Sequence, residues 1–258
     1  MKGLIIFFTL FISGWVNGQE APASYSKWFI KHTLGLNNPF NALLNNEITD
    51  HLLDYDDHSY FTQSFSGNFF FLKNWGAELT FQAGNSGKAQ GQAEKFNAEL
   101  RNIFGTKYFV RPRSGAEYNP DNIRLGSIER VYVGIVYRLE KTRFLLLPKF
   151  LVGFTSLYAD KGGADLKEKG TNTVLRVSYD PGNRPKKHVS FAPAFTVGYR
   201  LSEHLFLNLD LQYSYFKTDI EFIKETRNLY TDEFILESIK YKKSINTLTI
   251  GAGLIFEL

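Results

Sequence analysis

Residues 243–258 read KSINTLTIGAGLIFEL. From Leu248 one alternate set is Leu248, Ile250, Ala252, Leu254, Phe256 and Leu258. The other is Thr247, Thr249, Gly251, Gly253, Ile255 and Glu257, small or polar apart from Ile255. A period of two with one apolar face is a strand. A soluble protein must cover such a face with a core. Here it ends a chain whose opening residues read as an export signal, and the two features together predict a lipid-facing strand that closes a β-barrel.

The export signal is short. After Met1-Lys2 the chain is almost wholly apolar from Leu4 to Ile12, and small residues stand at Val16 and Gly18. That pattern predicts a signal peptide over residues 1–18, cut after Gly18, with residues 19–258 forming one barrel domain. The apolar run is too short to span a bilayer comfortably. No later run approaches twenty apolar residues, which argues against a transmembrane helix.

The chain has no cysteine, so disulfides, thiolate metal sites and cysteine nucleophiles are excluded. Its 24 Phe and 14 Tyr suit a barrel whose rings gather at the two membrane interfaces. The net charge of +4 belongs to an exported chain, so nucleic acid is not expected as a partner.

Outward from the terminal strand, the dyad recurs seven times. Lys27–Leu36 places Trp28, Ile30, Leu34 and Leu36 on one face, and Tyr60–Leu72 does the same with Phe61, Phe65, Phe69 and Phe71. From Trp75 to Gly84, Trp75, Ala77, Leu79, Phe81 and Ala83 alternate with Gly76, Glu78, Thr80, Gln82 and Gly84. Further strands run from Arg130 to Leu139, Arg143 to Tyr158, Val189 to Arg200 and Leu205 to Tyr215. In Arg143–Tyr158 both faces are apolar in part, since Leu145, Leu147 and Leu151 share a face with Lys149, Gly153 and Thr155. Short turns fall at Lys73-Asn74, Glu140-Lys141-Thr142 and Leu201-Ser202-Glu203, and four long polar segments fall between the other strands. The fold class is therefore all-β, an antiparallel up-and-down transmembrane barrel of eight strands, with short periplasmic turns and long extracellular loops. Ten strands stay open because Lys107–Arg111 and Thr173–Tyr179 also look extended, but both fall short of the ~9–11 residues of a tilted spanning strand.

This pattern resembles the small outer-membrane β-barrel family, the OmpA/OmpX-like eight-stranded barrels, over Lys27 to Leu258. The resemblance implies the outer membrane of a Gram-negative bacterium, contact with outer-membrane lipid and lipopolysaccharide, and delivery by the barrel-assembly machinery. Gly253, Phe256 and Leu258 resemble the terminal signal read by that machinery, although the family usually ends in an aromatic residue and this chain ends in Leu. It leaves no room for a peptidoglycan-binding domain. Relatives of this kind serve as anchors, adhesins and surface-defence proteins, and in a few branches as lipid-modifying enzymes or proteases.

The inward face carries Glu78, Arg138, Lys149, Arg200, Asp210 and Glu257. Eight strands leave an interior just wide enough for side chains, so these charges must pair. That predicts a closed, charge-filled lumen rather than an ion path. In the second and third loops, Arg111, Arg113, Arg184, Lys186 and Lys187 are candidate lipopolysaccharide contacts, because basic side chains attract phosphorylated headgroups. Gln92–Phe104 places Ala93, Phe96, Leu100, Ile103 and Phe104 at helical spacing and predicts a short helix over the barrel. The acidic first loop (Glu47, Asp50, His51, Asp54, Asp56, Asp57, His58) matches no metal-binding spacing and reads as a solvated loop.

No enzyme motif is present: G-x-S-x-G, H-E-x-x-H and the P-loop are all missing. His188-Val189-Ser190 has the His-x-Ser spacing used by barrel lipid A deacylases, but Glu203, the nearest downstream acid, falls at the opposite turn. The expectation is a non-enzymatic barrel without metal or cofactor, whose loops meet lipopolysaccharide or a surface partner. An accessory subunit of an outer-membrane complex is the alternative, followed by a lipid-modifying barrel.

Overall fold

The computed structural model describes residues 26–40, 48–52, 59–85, 90–113, 127–159, 161–182 and 186–258. The expected signal peptide and most of the acidic first loop lie outside the described residues. So does Arg184.

Eight strands close on themselves. They are β1 (Trp28–Pro39), β2 (Tyr60–Phe70), β3 (Trp75–Asn85), β5 (Ser127–Tyr137), β7 (Phe144–Leu157), β10 (Lys186–Ser202), β11 (Leu205–Lys217) and β14 (Ser244–Glu257). Each pairs antiparallel with the next, and β7 pairs β10 to complete the wall. The seam joins the first strand to the last, from Phe29 opposite Glu257 to Pro39 opposite Thr247. β6 (Leu139–Lys141) prolongs β5 past Arg138 and pairs with the start of β7 in the same register. Thr142 turns the chain between them with a φ of 56°.

The alternation sorts the side chains. Phe65, Leu79, Val133, Phe150, Leu209 and Ile250 are exposed on the outer wall, while Thr62, Ser66, Thr80, Thr196 and Thr249 are buried inside. Apolar exposure on this scale has no place in water, and in lipid it is the required outer surface. At the end with the short turns, paired rings mark one interface. Trp28 lies 4.6 Å from Phe69, Trp75 4.8 Å from Tyr137, and Phe144 5.4 Å from Tyr199. No described helix is long and apolar enough to cross a membrane, and the crossing is made by strands.

The long loops differ from the sequence expectation. They build a second, five-stranded sheet from β4 (Tyr108–Arg113), β8 (Gly162–Glu168), β9 (Val174–Asp180), β12 (Ile220–Asn228) and β13 (Phe234–Tyr241), in the order β13-β12-β9-β8-β4. Only β4 and β9 read as extended in the sequence, and both belong to this cap rather than to the wall. The barrel has eight strands, not ten. The helix α1 (Gln90–Phe104) packs Phe96 and Leu100 beneath the sheet, while Ile103 stays exposed. With Leu166, Val177, Phe216, Phe222 and Tyr241 these residues form one apolar core over the outer mouth of the barrel.

The seam tolerates no bulk at Gly253. A Cβ built there would lie 1.9 Å from the carbonyl oxygen of His32 and 2.7 Å from the Cα of Thr33. Gly253→Val therefore forces the backbones of β1 and β14 apart, at a cost of about 1–3 kcal/mol or more. Such a variant is expected to lose the compact fast-migrating band of the unheated protein in electrophoresis; retention of that band at normal yield would refute the tight-seam reading.

Candidate functional site

The lumen is filled in layers, each set by which wall residues point inward. At the short-turn end, Phe29, Phe70, Val136, Leu145, Leu147, Phe206 and Ile255 form a fully buried apolar plug. These residues sit on the face where the dyad predicts polar groups. Leu145, Leu147 and Ile255 are the ones whose facing the sequence left mixed.

Between the plug and the short-turn mouth lies the first ion cluster, where Arg138 donates to the Ser26 carbonyl and Arg200 to that of Glu203. Arg138 donates from Nε to Glu140 at 2.9 Å and pairs with Glu257 at 3.2 Å. Arg200 pairs with Glu257 at 3.0 Å and also with Glu140. The guanidiniums rest on plug rings, Arg138 at 4.5 Å from the Phe29 centroid and Arg200 at 4.3 Å from that of Phe206. Two cations meet two anions. Glu140, which the sequence assigns to a turn, is buried here because β6 continues β5 in unbroken register against β7, so Glu140 keeps the inward parity of Arg138 two residues earlier.

Midway along the lumen is a second such cluster. Lys149 donates to both carboxylate oxygens of Glu78 at 3.0 Å, and Lys31 donates to Asp210 at 2.6 Å. The pairs stand close to each other, with Lys31 4.0 Å from Glu78 and Lys149 3.9 Å from Asp210. Thr80 donates to Glu78 at 2.8 Å, and Thr33 (3.0 Å) and Thr196 donate to Asp210. Lys31 was not among the sequence candidates. The alternation of β1 already placed it opposite Trp28 and Ile30, on the inner face.

Nearer the cap, Arg130 is almost wholly buried and donates to Asn37 at 3.2 Å, Gln82 at 3.2 Å and the Tyr60 hydroxyl at 3.1 Å. His188 and Ser190 also face inward, where Ser190 accepts a hydrogen bond from Thr155 at 3.1 Å. The Ser190 hydroxyl is fully buried in the wall. Among the described residues no three His, Asp or Glu side chains gather as metal ligands.

Outside, the candidate headgroup contacts separate. Lys186 and Lys187 are exposed where β10 leaves the wall, beside Lys217 at the end of β11. Arg111 and Arg113 stand on β4 at the far edge of the cap, Arg111 exposed and Arg113 3.5 Å from Asp165. Within the cap, burial pushes the Tyr179 hydroxyl up to about 12. At the surface the Lys107–Glu168 pair, 3.1 Å apart, raises the lysine, and Thr171 followed by Lys107 lowers the carboxyl.

The central cluster is balanced only as a set, so removing one member leaves a buried charge with a partner missing. Glu78→Gln is expected to lower stability by about 3 kcal/mol, read from the urea midpoint in detergent micelles. The double change Glu78→Leu with Lys149→Leu should recover most of that loss. A Glu78→Gln midpoint equal to that of the unmodified protein would show that the cluster is not coupled.

Residues 16–256 match the profile of the outer membrane protein beta-barrel domain. No curated protein sequence matches the chain. Among solved structures, Neisserial surface protein A is similar with a TM-score of 0.44 and 7% identity, over 90% of this chain and 97% of that one. Ail, the attachment invasion locus protein of Yersinia pestis, gives a TM-score of 0.36 and 13% identity, over 90% and 97%. The outer membrane protease OmpT of Escherichia coli gives 0.40 and 7%, over 93% and 99%. At such scores these likenesses decide nothing about activity, and classification rests on the match over 16–256. The chain, an eight-stranded barrel with a lipid-facing exterior, belongs to the outer membrane protein beta-barrel family.

Proposed function

We propose that this outer-membrane barrel is non-conducting and non-enzymatic, and that it acts through its cap on lipopolysaccharide or another surface partner. The observation that carries this reading is the continuous filling of the lumen, from the neutral ion cluster at the short-turn mouth through the apolar plug and the neutral central cluster to the core of the cap. An eight-stranded wall has no space for a water channel beside such side chains. What remains available for interaction is the outside. Lys186, Lys187 and Lys217 stand exposed just above the lipid-facing residues Val189 and Tyr213, at the level of phosphorylated headgroups. Arg111, Arg113 and Arg184 extend the same basic character along the second and third loops.

Under this proposal Gly253, Phe256 and Leu258 serve delivery rather than activity. Phe256 and Leu258 lie on the lipid face of the terminal strand, where the assembly machinery can read them before the seam closes.

Two measurements test the proposal. Purified protein in planar bilayers should give no steady single-channel current, and a reproducible porin-like conductance would overturn the closed-lumen reading. Changing Lys186, Lys187 and Lys217 together to Glu should sharply reduce co-purified lipopolysaccharide while leaving heat-modifiable migration unchanged. Equal lipopolysaccharide retention would move the interaction away from this rim. If a second outer-membrane protein co-purifies in fixed ratio from gentle detergent, the accessory-subunit reading takes its place.

A further inference from the structure

The two edges of the cap sheet are treated differently. Edge strand β4 reads YFVRPR and is guarded, since Pro112 withholds a backbone donor and Arg111 and Arg113 add charge. The opposite edge, β13, reads FILESIKY and begins with Phe234, Ile235 and Leu236, which are 55%, 64% and 57% exposed. Both faces of this edge are apolar there, because Phe234 and Leu236 point one way and Ile235 the other. No proline or bulge interrupts it.

The free backbone groups can be assigned. Asn228 N donates to Glu233 O at 2.8 Å and Thr218 N to Lys243 O at 2.7 Å, in the same register that pairs β12 with β13. Antiparallel pairs alternate, so 235, 237, 239 and 241 bond to β12, and the N–H and C=O of Phe234, Leu236, Ser238 and Lys240 point to the open side. Among the described residues no strand takes them.

We infer that β13 docks with β13 of a second copy of this chain on an apposed membrane, forming one continuous antiparallel sheet. Charge favours one register over its immediate neighbours. Centring the pair on Leu236 sets Leu236 against Leu236 and Phe234 against Ser238, and brings Lys240 of each copy to Asp232 of the other, an exposed turn residue just before the strand that lies 3.5 Å from Arg227 of its own copy. Centring it on Glu237 stacks glutamates, and centring it on Ile235 sets Glu233 against Glu237; like charges directly opposite are destabilising. Orientation fixes the location. β12 prolongs β11 after Asp219, and β13 runs into β14 after Lys243, so the hairpin extends the barrel wall outward. Wall strands tilt roughly 35–45° from the membrane normal. A two-fold axis along that normal therefore crosses two such edges at about 90° at most and never sets them antiparallel. An axis lying between two facing membranes does. From Lys217 to Arg227 the strand runs about 33 Å at about 3.3 Å per residue, and a tilt of roughly 35–45° makes that about 23–27 Å along the normal, which carries the edge away from its own leaflet. One edge contact is weak, and many between two membranes add by avidity.

The test uses the full chain in phosphatidylcholine vesicles with caps outward, checked by protease access, and follows clustering by light scattering. No lipopolysaccharide is present, so the result is independent of the lipid contact proposed above. Vesicles bearing the unmodified protein should cluster with each other and not with empty vesicles. Leu236→Pro, which removes an outward N–H and leaves the β12 ladder intact, should abolish clustering. Asp232→Lys alone and Lys240→Asp alone should each disperse the vesicles, because each sets like charges opposite. Mixing those two populations should restore clustering, since the swapped charges then match, and this arm holds even where the proline variant fails to fold. Dispersed unmodified vesicles, clustering with empty vesicles, or no recovery in the mixture would each overturn the inference.

Discussion

Every backbone N–H and C=O within a bilayer has to be satisfied by the chain itself, because hydrocarbon offers no partner and each orphan costs several kcal/mol. That requirement makes the β1–β14 seam the contact on which the rest depends. Eleven consecutive residue pairs join the first strand to the last. Gly35, Gly251 and Gly253 let the two backbones approach, with Gly35 directly opposite Gly251 and Gly253 opposite Thr33. Without closure, eight strands of correctly alternating residues still present two open edges to lipid. The seam also delivers Lys31 and Glu257 to the lumen, so the same contact assembles both ion clusters.

Closure creates a second demand, which is to fill what has been enclosed. The answer changes along the axis. Near the short-turn end, seven apolar side chains fill the space without any polar atom, and an ion cluster stands on either side of them. A lysine or glutamate is tolerated only where its opposite is within reach, and each cluster has two of either sign. Breaking a buried pair is costly even where the pair itself adds little stability, so these charges act mainly as constraints on which side chains can occupy the lumen.

The cap solves the corresponding problem above the membrane. Three long loops meet as one sheet, and the apolar core beneath it covers the outer mouth, so wall and cap share buried residues such as Phe216 and Phe222 at the ends of β11 and β12. Because β12 and β13 continue wall strands, the face that looks into the lumen below becomes the face packed on the cap core above. Their outer face continues the lipid-facing side, which is why the exposed residues there grade from Tyr213 through Lys217 to Phe234.

Alternation along the chain was enough to mark the eight wall strands, the facing of all but the doubly apolar Arg143–Tyr158, and the membrane setting, because the period of two and the choice of lipid or lumen are local properties of each strand. It also marked Glu78, Lys149, Asp210, Arg138, Arg200 and Glu257 as inward. It could not pair them, since Lys149 meets Glu78 across 71 residues and Lys31 meets Asp210 across 179. Lys31 was readable in the β1 pattern, and Glu140 continues the inward parity of Arg130 to Arg138, although on sequence alone that strand ends at Leu139 and Glu140 falls in the turn. The cap was the least legible part. Strands β8, β12 and β13 lack a sustained two-residue period, and their partners come from other loops. Only tertiary structure decided that these segments are strands at all: a cap strand without its own apolar rhythm is held by the neighbour whose backbone it completes, and that neighbour is chosen by the fold.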